Sequence, residues 1–261
     1  GEYHTNYVSR IYSDGSAELY DRSTNYSQVL TQNELSAQLV EKLNSMGPIK
    51  VSSDIIIRDA DKTYNTYYVS AIYSDGKLDV YGRASNASSL RPFNDLQTRL
   101  VVVRSQMDVD LRLPNGGTRT STVRQANDII AKVSDRNYHN FYVSTIYSDE
   151  VFNLYDRSTN QSVILNRAEL EATLVESAGQ TTFTMQTPAG PIQTTVRKST
   201  DIILRVANGE YQNHYVSALF SDDMNSLYNR STNQSVVLSR AEIEPMLVEK
   251  LKSVSGIQTS S

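Results

Sequence analysis

The 261-residue chain has no cysteine and no tryptophan, and it has only three histidines, five phenylalanines and six prolines. Without cysteine it has no disulfide, thiolate zinc site or thiol nucleophile, and nothing records its redox compartment. No apolar run approaches the roughly 18 residues of a helical membrane span. A hydrophobic fraction of 39% and a mean hydropathy of −0.44 place the chain on the polar side of globular proteins. The net charge of −4 and pI near 5.5 give no general pull toward nucleic acid or an anionic membrane. The 25 Lys and Arg are spread along the chain rather than gathered into a stripe. Catalytic spacings are missing as well: there is no H-x-x-x-H, H-x-E or G-x-S-x-G pattern and no phosphate loop.

What the chain has is repetition. Tyr142 to Glu176 (YVSTIYSDEVFNLYDRSTNQSVILNRAELEATLVE) recurs without gaps from Tyr7, Tyr68 and Tyr215, at spacings of 61, 74 and 73 residues. Copying of one ancestral unit therefore accounts for the excess of 17 Tyr over 5 Phe. Each later copy is preceded by a lead-in holding Asp54-Ile55-Ile56-Ile57, Asp128-Ile129-Ile130-Ala131 or Asp201-Ile202-Ile203-Leu204. Asp is a good N-cap and the apolar run is short, so a two-turn helix is expected there in preference to a buried strand. Copies three and four add Met107 to Val123 and Thr182 to Val196, whose alternation around Pro114-Asn115-Gly116-Gly117 and Pro188-Ala189-Gly190-Pro191 reads as a β-hairpin. Copy one has no lead-in.

The signature opens with a strand, Tyr-Val-Ser-x-Ile-Tyr-Ser-Asp, and turns into a second strand ending near Leu-Tyr-Asp-Arg. Gly15 and Gly76 in that turn are replaced by Glu150 and Asp223, which implies a type I loop that does not need a positive φ. A Ser-Thr-Asn turn and a third strand follow. Thr31 with Glu34 and Ser239 with Glu242 are capping boxes, and Asn166 with Glu169 is a close variant. Leu35, Leu39, Val40 and Leu43, like Leu170, Leu174 and Val175, fall on one helical stripe. Pro92 would start the second helix and Pro245 would bend the fourth.

The expected fold class is α+β: a tandem repeat of small units, each a three-stranded antiparallel meander plus an amphipathic helix, with a short lead-in helix and, in copies three and four, an extra β-hairpin. The boundaries fall at 1–44, 45–104, 105–178 and 179–254, with 255–261 the start of a further lead-in or a tail. Units this thin are expected to share a core with their neighbours. Gly1-Glu2-Tyr3 matches Gly209-Glu210-Tyr211, and 252–261 resembles Asn44 to Ser53. The chain is thus expected to come from a longer array, or to have ends that complete one another within or between molecules.

Two columns carry the most chemistry. Arg22, Arg83, Arg157 and Arg230 would be either fourfold anion anchors or partners in ion pairs and stacking on Tyr7, Tyr68, Tyr142 and Tyr215. Tyr20, Tyr81, Tyr155 and Tyr228 would be half-buried sheet residues or a contact surface. These eight Tyr and Arg form the candidate contact surface. Asp14, Asp75, Asp149 and Asp222 form a further column. Asn25, Asn86, Asn160 and Asn233 stand in N-x-S sequons, as does Asn229, and read as polar turns unless a eukaryote secretes the protein. His4 and His139 share a column, but Asn65 and Gln212 occupy it elsewhere, so no catalytic histidine is assigned. Asp222-Asp223 lacks further ligands for a metal. No catalytic, cofactor or metal site is expected.

The function expected from this pattern is a structural or assembly protein that packs against copies of itself or a partner in a filament, surface appendage or virus particle. A binding module for nucleic acid or glycan, stacking on the repeated Tyr and Arg, is the alternative. A homo-oligomer or larger assembly, no nucleic acid and no membrane span complete the reading. The sequence fixes no compartment, although an extracellular surface or a virion suits it better than the cytoplasm.

Overall fold

The computed structural model describes residues 3–250 and the backbone of 253–254 and 257–258. It is mostly β, with 60% of residues in strands, 9% helical and four helices. The α+β expectation is thereby overturned. The chain divides into two compact halves, Gly1–Val101 and Val102–Ser261, each holding two repeats.

The lead-ins are strands, not helices. In the first half, Asp54–Ala60 pairs antiparallel with Thr63–Tyr73, matching Asp54 to Tyr68. In the second half, Asp128–Ser134 pairs with Asn137–Tyr147 and Asp201–Arg205 with Tyr211–Leu219, matching Asp128 to Tyr142 and Asp201 to Tyr215. A two-turn helix is marginal in water, whereas a β-branched run beside the long signature strand gains a ladder of hydrogen bonds. Burial then alternates with period two, and Ile55 and Ile57 point into the core.

Each complete repeat is therefore a five-stranded antiparallel sheet. In the third the order is Gln161–Asn166, Val151–Asp156, Asn137–Tyr147, Asp128–Ser134 and Leu174–Val175. The fifth strand is the second correction. The capping boxes at Thr31, Asn166 and Ser239 are present, but the helices they open are short: Gln32–Gln38, Arg167–Thr173 and Arg240–Ile243. The helix of repeat two, Phe93–Gln97, begins after Pro92, which is its N-cap rather than its first residue. None of the four buries more than one residue, so there is no amphipathic helix in the expected sense. The stripe breaks where Leu100–Val101, Leu174–Val175 and Leu247–Val248 straighten and pair with their lead-in strands. Among the described residues repeat one has no lead-in strand, and its Leu39 ends the helix 66% exposed. Pro245 lies past the fourth helix and bends nothing.

The turn between the first two signature strands does require a positive φ. Gly15 and Gly76 have φ of 83° and 81°, and Glu150 and Asp223 adopt the same region at 64° and 63°, which is uncommon for side chains with a Cβ.

Each repeat has its own buried cluster, to which the preceding repeat adds at most an edge residue, Leu43 in repeat two and Ala178 in repeat four. In repeat three, Phe141, Val143, Ile146, Phe152 and Leu154 of the sheet are covered by Leu170 and by the hairpin Gln106–Arg112 with Thr118–Arg124. Repeat four repeats this under the hairpin Gln180–Thr187 with Gly190–Arg197. Repeat two uses a shorter hairpin, Ser45–Met46 with Ile49–Lys50, and its Ile49 is fully buried. Among the described residues repeat one has a three-stranded sheet, Asn6–Ile11, Ala17–Asp21 and Tyr26–Leu30, and its buried cluster is Ala17, Leu19 and Leu30 with Leu35 beside it. Of residues 255–261 only the strand at 257–258 is described, so the rest of that expected lead-in, like Gly1-Glu2, lies outside the described residues.

This difference is measurable. Leu170→Ala is expected to cost about 2–5 kcal/mol of third-repeat stability, whereas Ile11→Ala, at a residue 78% exposed, should change first-repeat stability by less than about 0.5 kcal/mol. Native-state hydrogen exchange, read repeat by repeat, distinguishes the two.

Candidate functional site

The strand register places the expected contact residues on one face of each sheet. Tyr7 pairs across to Tyr20, Tyr68 to Tyr81, Tyr142 to Tyr155 and Tyr215 to Tyr228. The guanidinium groups of Arg22, Arg83, Arg157 and Arg230 stand 5.7, 5.1, 5.3 and 5.2 Å from the ring centres of Tyr7, Tyr68, Tyr142 and Tyr215. Arg83, Arg157 and Arg230 also bond at 2.9 Å to Asp54, Asp128 and Asp201, the first residues of the lead-in strands. Such exposed contacts contribute about 0–1 kcal/mol each. Tyr20, Tyr81, Tyr155 and Tyr228 donate to the side-chain oxygens of Asn25, Asn86, Asn160 and Asn233 at 2.7, 2.9, 3.2 and 2.9 Å. Those asparagines sit at φ of 52–57°, a region Asn enters more readily than other side chains. Turn geometry therefore gives the N-x-S column a structural role of its own.

A second constellation was not singled out from the sequence. A tyrosine stands four positions before each signature Tyr: Tyr3, Tyr64, Tyr138 and Tyr211. In the first half, Tyr3 of repeat one stacks on Tyr73 of repeat two, with ring centres 4.0 Å apart and planes 12° apart, and donates to Asp75 Oδ2 at 2.5 Å. In the second half, Tyr138 of repeat three stacks on Phe220 of repeat four at 4.1 Å and 12° and donates to Asp222 Oδ2 at 2.7 Å. A cation lies over each tyrosine, Lys77 at 5.5 Å and Lys132 at 6.0 Å. The serine between aromatic and aspartate engages the segment that leads into the repeat. Glu41 N–H donates to Ser74 Oγ and Ser74 N–H donates back to the Glu41 carbonyl, both at 2.9 Å. Val102 with Ser148 and Glu176 with Ser221 make the same reciprocal pair.

Tyr-Ser-Asp (Phe-Ser-Asp in repeat four) is therefore a socket. The aromatic ring takes a tyrosine face, the aspartate takes its hydroxyl, and the serine clamps a backbone. The Asp column is part of this socket, and its clue in sequence was the tyrosine recurring at a fixed offset. Burial, followed by the bond to Asp222 and its charge, pushes the Tyr138 hydroxyl far above its ordinary value of 10.0. The Tyr3 hydroxyl bond is the main cause that holds the Asp75 carboxyl below its usual range.

The histidine column is explained by pairing. His4 bonds Asp21 at 2.8 Å and His139 bonds Asp156 at 2.7 Å, while in repeat four Gln212 accepts from Asn229 at 2.7 Å. An imidazole–carboxylate pair has been exchanged for an amide pair in the same place. In repeat two, Asn65 turns to Asp59, which also bonds Tyr67 and faces Arg91 and Arg99. Among the described residues there is no group of three or more His, Asp or Glu placed to hold a metal ion. No helix there is long and apolar enough to cross a membrane. No protein-family model matches the chain, and no curated protein sequence matches it.

Two measurements check this chemistry. Tyr138→Phe keeps the stack but loses a bond to a carboxylate, and should loosen the third–fourth junction by about 1–3 kcal/mol. The raised Tyr138 value means its contribution is complete below pH 10 and fades as pH rises above it, so alkaline titration should destabilise the wild-type junction and leave Tyr138→Phe unmoved. At the acid end, burial acts to raise Asp156, but the bonds from His139, Ser158 and Thr159 outweigh it and hold the carboxyl at about 2. Its contribution is present above the unfolded value of 3.8 and is lost as pH falls toward 2. Asp156→Asn should flatten that part of an acid denaturation curve followed by circular dichroism.

Proposed function

We propose that this chain is a structural, assembly-forming repeat protein, whose working surfaces are the contacts between repeats. What carries this reading is the socket: the same aromatic, serine and aspartate positions seat the preceding repeat's tyrosine within each half of the chain. Stacked and hydrogen-bonded tyrosines are a common currency of protein interfaces. The alternative, nucleic-acid or glycan binding on the Tyr and Arg face, is less well supported. Three of its four arginines are already engaged by both a ring and a carboxylate of their own repeat, and the net charge is −4. A phosphate would have to displace those partners.

The test is a pair of assays on the whole chain. Electrophoretic mobility shift with single-stranded DNA and RNA at low salt, together with a glycan array, should show no binding. Negative-stain imaging and light scattering should show association that grows with concentration. Saturable binding of a nucleic acid or glycan, abolished by Arg83→Ala, Arg157→Ala and Arg230→Ala together, would replace the assembly reading.

A further inference from the structure

The hairpin over repeat three is held down by side chains. Its strands, Gln106–Arg112 and Thr118–Arg124, pair with each other and, among the described residues, with no other strand. Met107, Val109, Leu111 and Val123 pack on the sheet, and two glutamates of the same repeat reach the hairpin's polar groups. Glu171 of the helix accepts from the Asp110 N–H at 2.9 Å. Glu176 accepts from the Ser121 hydroxyl at 2.7 Å and from the Arg119 guanidinium. The first contact recurs in repeat four, where Glu244 accepts from the Thr184 N–H at 2.8 Å. The Arg119 bond is not repeated, since the register puts Ile192 in that place.

Glu176 is also the residue that grips repeat four. Val175 before it pairs with Ile130 of repeat three. Glu176 itself donates its N–H to Ser221 Oγ at 3.0 Å, and its carbonyl accepts from the Ser221 N–H at 2.9 Å. Ser177 then bridges Phe220, and the Ala178 N–H donates to the Leu219 carbonyl at 2.8 Å. The last strand of repeat three therefore passes into the pairing with repeat four without a residue of slack. Phe220, Ser221 and Asp222 are the three members of the socket that takes Tyr138, so the Glu176 backbone fixes the turn on which that socket stands. One residue thus has its carboxylate in the hairpin and its main chain in the junction. Val102, which makes the same backbone pair with Ser148, has no carboxylate to do this.

We propose that Glu176 couples the hairpin to the socket: a seated hairpin tightens the third–fourth junction, and a closed junction holds the hairpin down. While the side chain is tied to Arg119 and Ser121, the Glu176 backbone stays where its N–H and C=O both meet Ser221. Once the carboxylate is released, that placement has to be won from a freer chain. The coupling is a free energy between two sites and is reciprocal, so its size must be the same whichever end is disturbed. It deepens the assembly reading above and rests on it for its functional meaning, because it makes the hairpin the element that regulates how firmly one repeat holds the next.

Native-state hydrogen exchange on the whole chain, at one low concentration, reads both ends. The Ser221 and Ala178 amides report the junction, and the Asp110 amide with the hairpin ladder reports the hairpin. Arg119→Ala combined with Ser121→Ala alters the hairpin alone and should lower protection of Ser221 and Ala178 by about threefold to tenfold, the scale of an exposed ion pair with one added hydrogen bond. Ser221→Ala alters repeat four alone and should lower protection of the hairpin by the same factor. Arg119→Lys keeps the charge without the planar fork and should fall between. The decisive arm is Glu176→Ala, which keeps the backbone pair but cuts the link, so that in its background neither change is felt at the other end. A loosened hairpin that leaves Ser221 and Ala178 as in wild type, or an effect that survives in Glu176→Ala, overturns the coupling. So does an equal loss of protection across the sheet of repeat three, which would mark a general loss of stability. None of these outcomes bears on whether the chain assembles, which imaging and scattering decide.

Discussion

The long signature strand has one edge with two claimants. Residues 63–68 of Thr63–Tyr73 pair with that repeat's own lead-in strand, and residues 72–73 pair with Lys42–Leu43, which leaves the repeat before. In the second half Asn137–Tyr147 is divided in the same way between Asp128–Ser134 and Val103–Arg104. A strand as long as 11 residues, about twice the usual length, is needed because each edge residue can satisfy only one neighbour. The division sets the socket's position. The inter-repeat pairing ends where the strand turns, so the aromatic, serine and aspartate of that turn are the groups left facing the incoming repeat.

Self-contained cores change what such a junction has to do. In repeats two, three and four the hairpin, helix and sheet bury most of their own apolar residues, the preceding repeat adding only Leu43 or Ala178 at the edge, so the contact between repeats need not supply the bulk of the hydrophobic burial that folds them. It can consist of one stacked ring, one charged hydrogen bond and a pair of backbone bonds. Contacts of that type are directional: an aromatic pair and a hydroxyl–carboxylate bond together fix distance and orientation. Specific register between repeats then comes from a few polar and aromatic atoms. The variation seen elsewhere in the repeats fits this division of labour. His139–Asp156 becomes Gln212–Asn229 without changing the ladder, because that pair only closes a turn inside one repeat.

Much of this was legible in the sequence, and the exceptions have physical causes. The repeat frame, the capping boxes and the alternating segments around Asn115-Gly116 are local patterns, and local patterns survive reading one line of text. The lead-in strands and the short strands at Leu174–Val175 and Leu247–Val248 depend on each other across some forty residues. Asp-Ile-Ile after small polar residues satisfies helix rules until a partner strand is supplied, and Leu-Val after a capping box looks like the next turn of the helix. Leu39 shows the dependence directly: with no described lead-in strand beside it, the same Leu-Val pair is not in a strand, Leu39 is exposed and Val40 is half-buried. Glu150 and Asp223 misled in another way. Replacing glycine normally argues against a positive φ, yet the turn's hydrogen bonds from Glu150 and Asp223 to Tyr147 and Phe220 hold both there. The socket was missed because its members come from different repeats, and similarity between copies hides what passes from one copy to the next.

Repeat one is where these rules meet. Among its described residues are the signature strand, the turn and the capped helix but no lead-in strand or covering hairpin, and its Val8 and Ile11 are exposed where Val69, Val143, Ile72 and Ile146 are buried. A repeat whose fold tolerates an open edge must draw enough stability from Ala17, Leu19, Leu30 and Leu35 and from its contact with repeat two through Tyr3. That contact joins repeat one to the sheet of repeat two through Tyr3 and the segment Glu41–Leu43. Among the described residues nothing pairs with the other edge of Asn6–Ile11, whose backbone groups are met by water and whose Val8 and Ile11 stand exposed. The internal junctions show which groups complement a signature strand: a tyrosine for the aromatic ring and the aspartate, and a backbone pair for the serine.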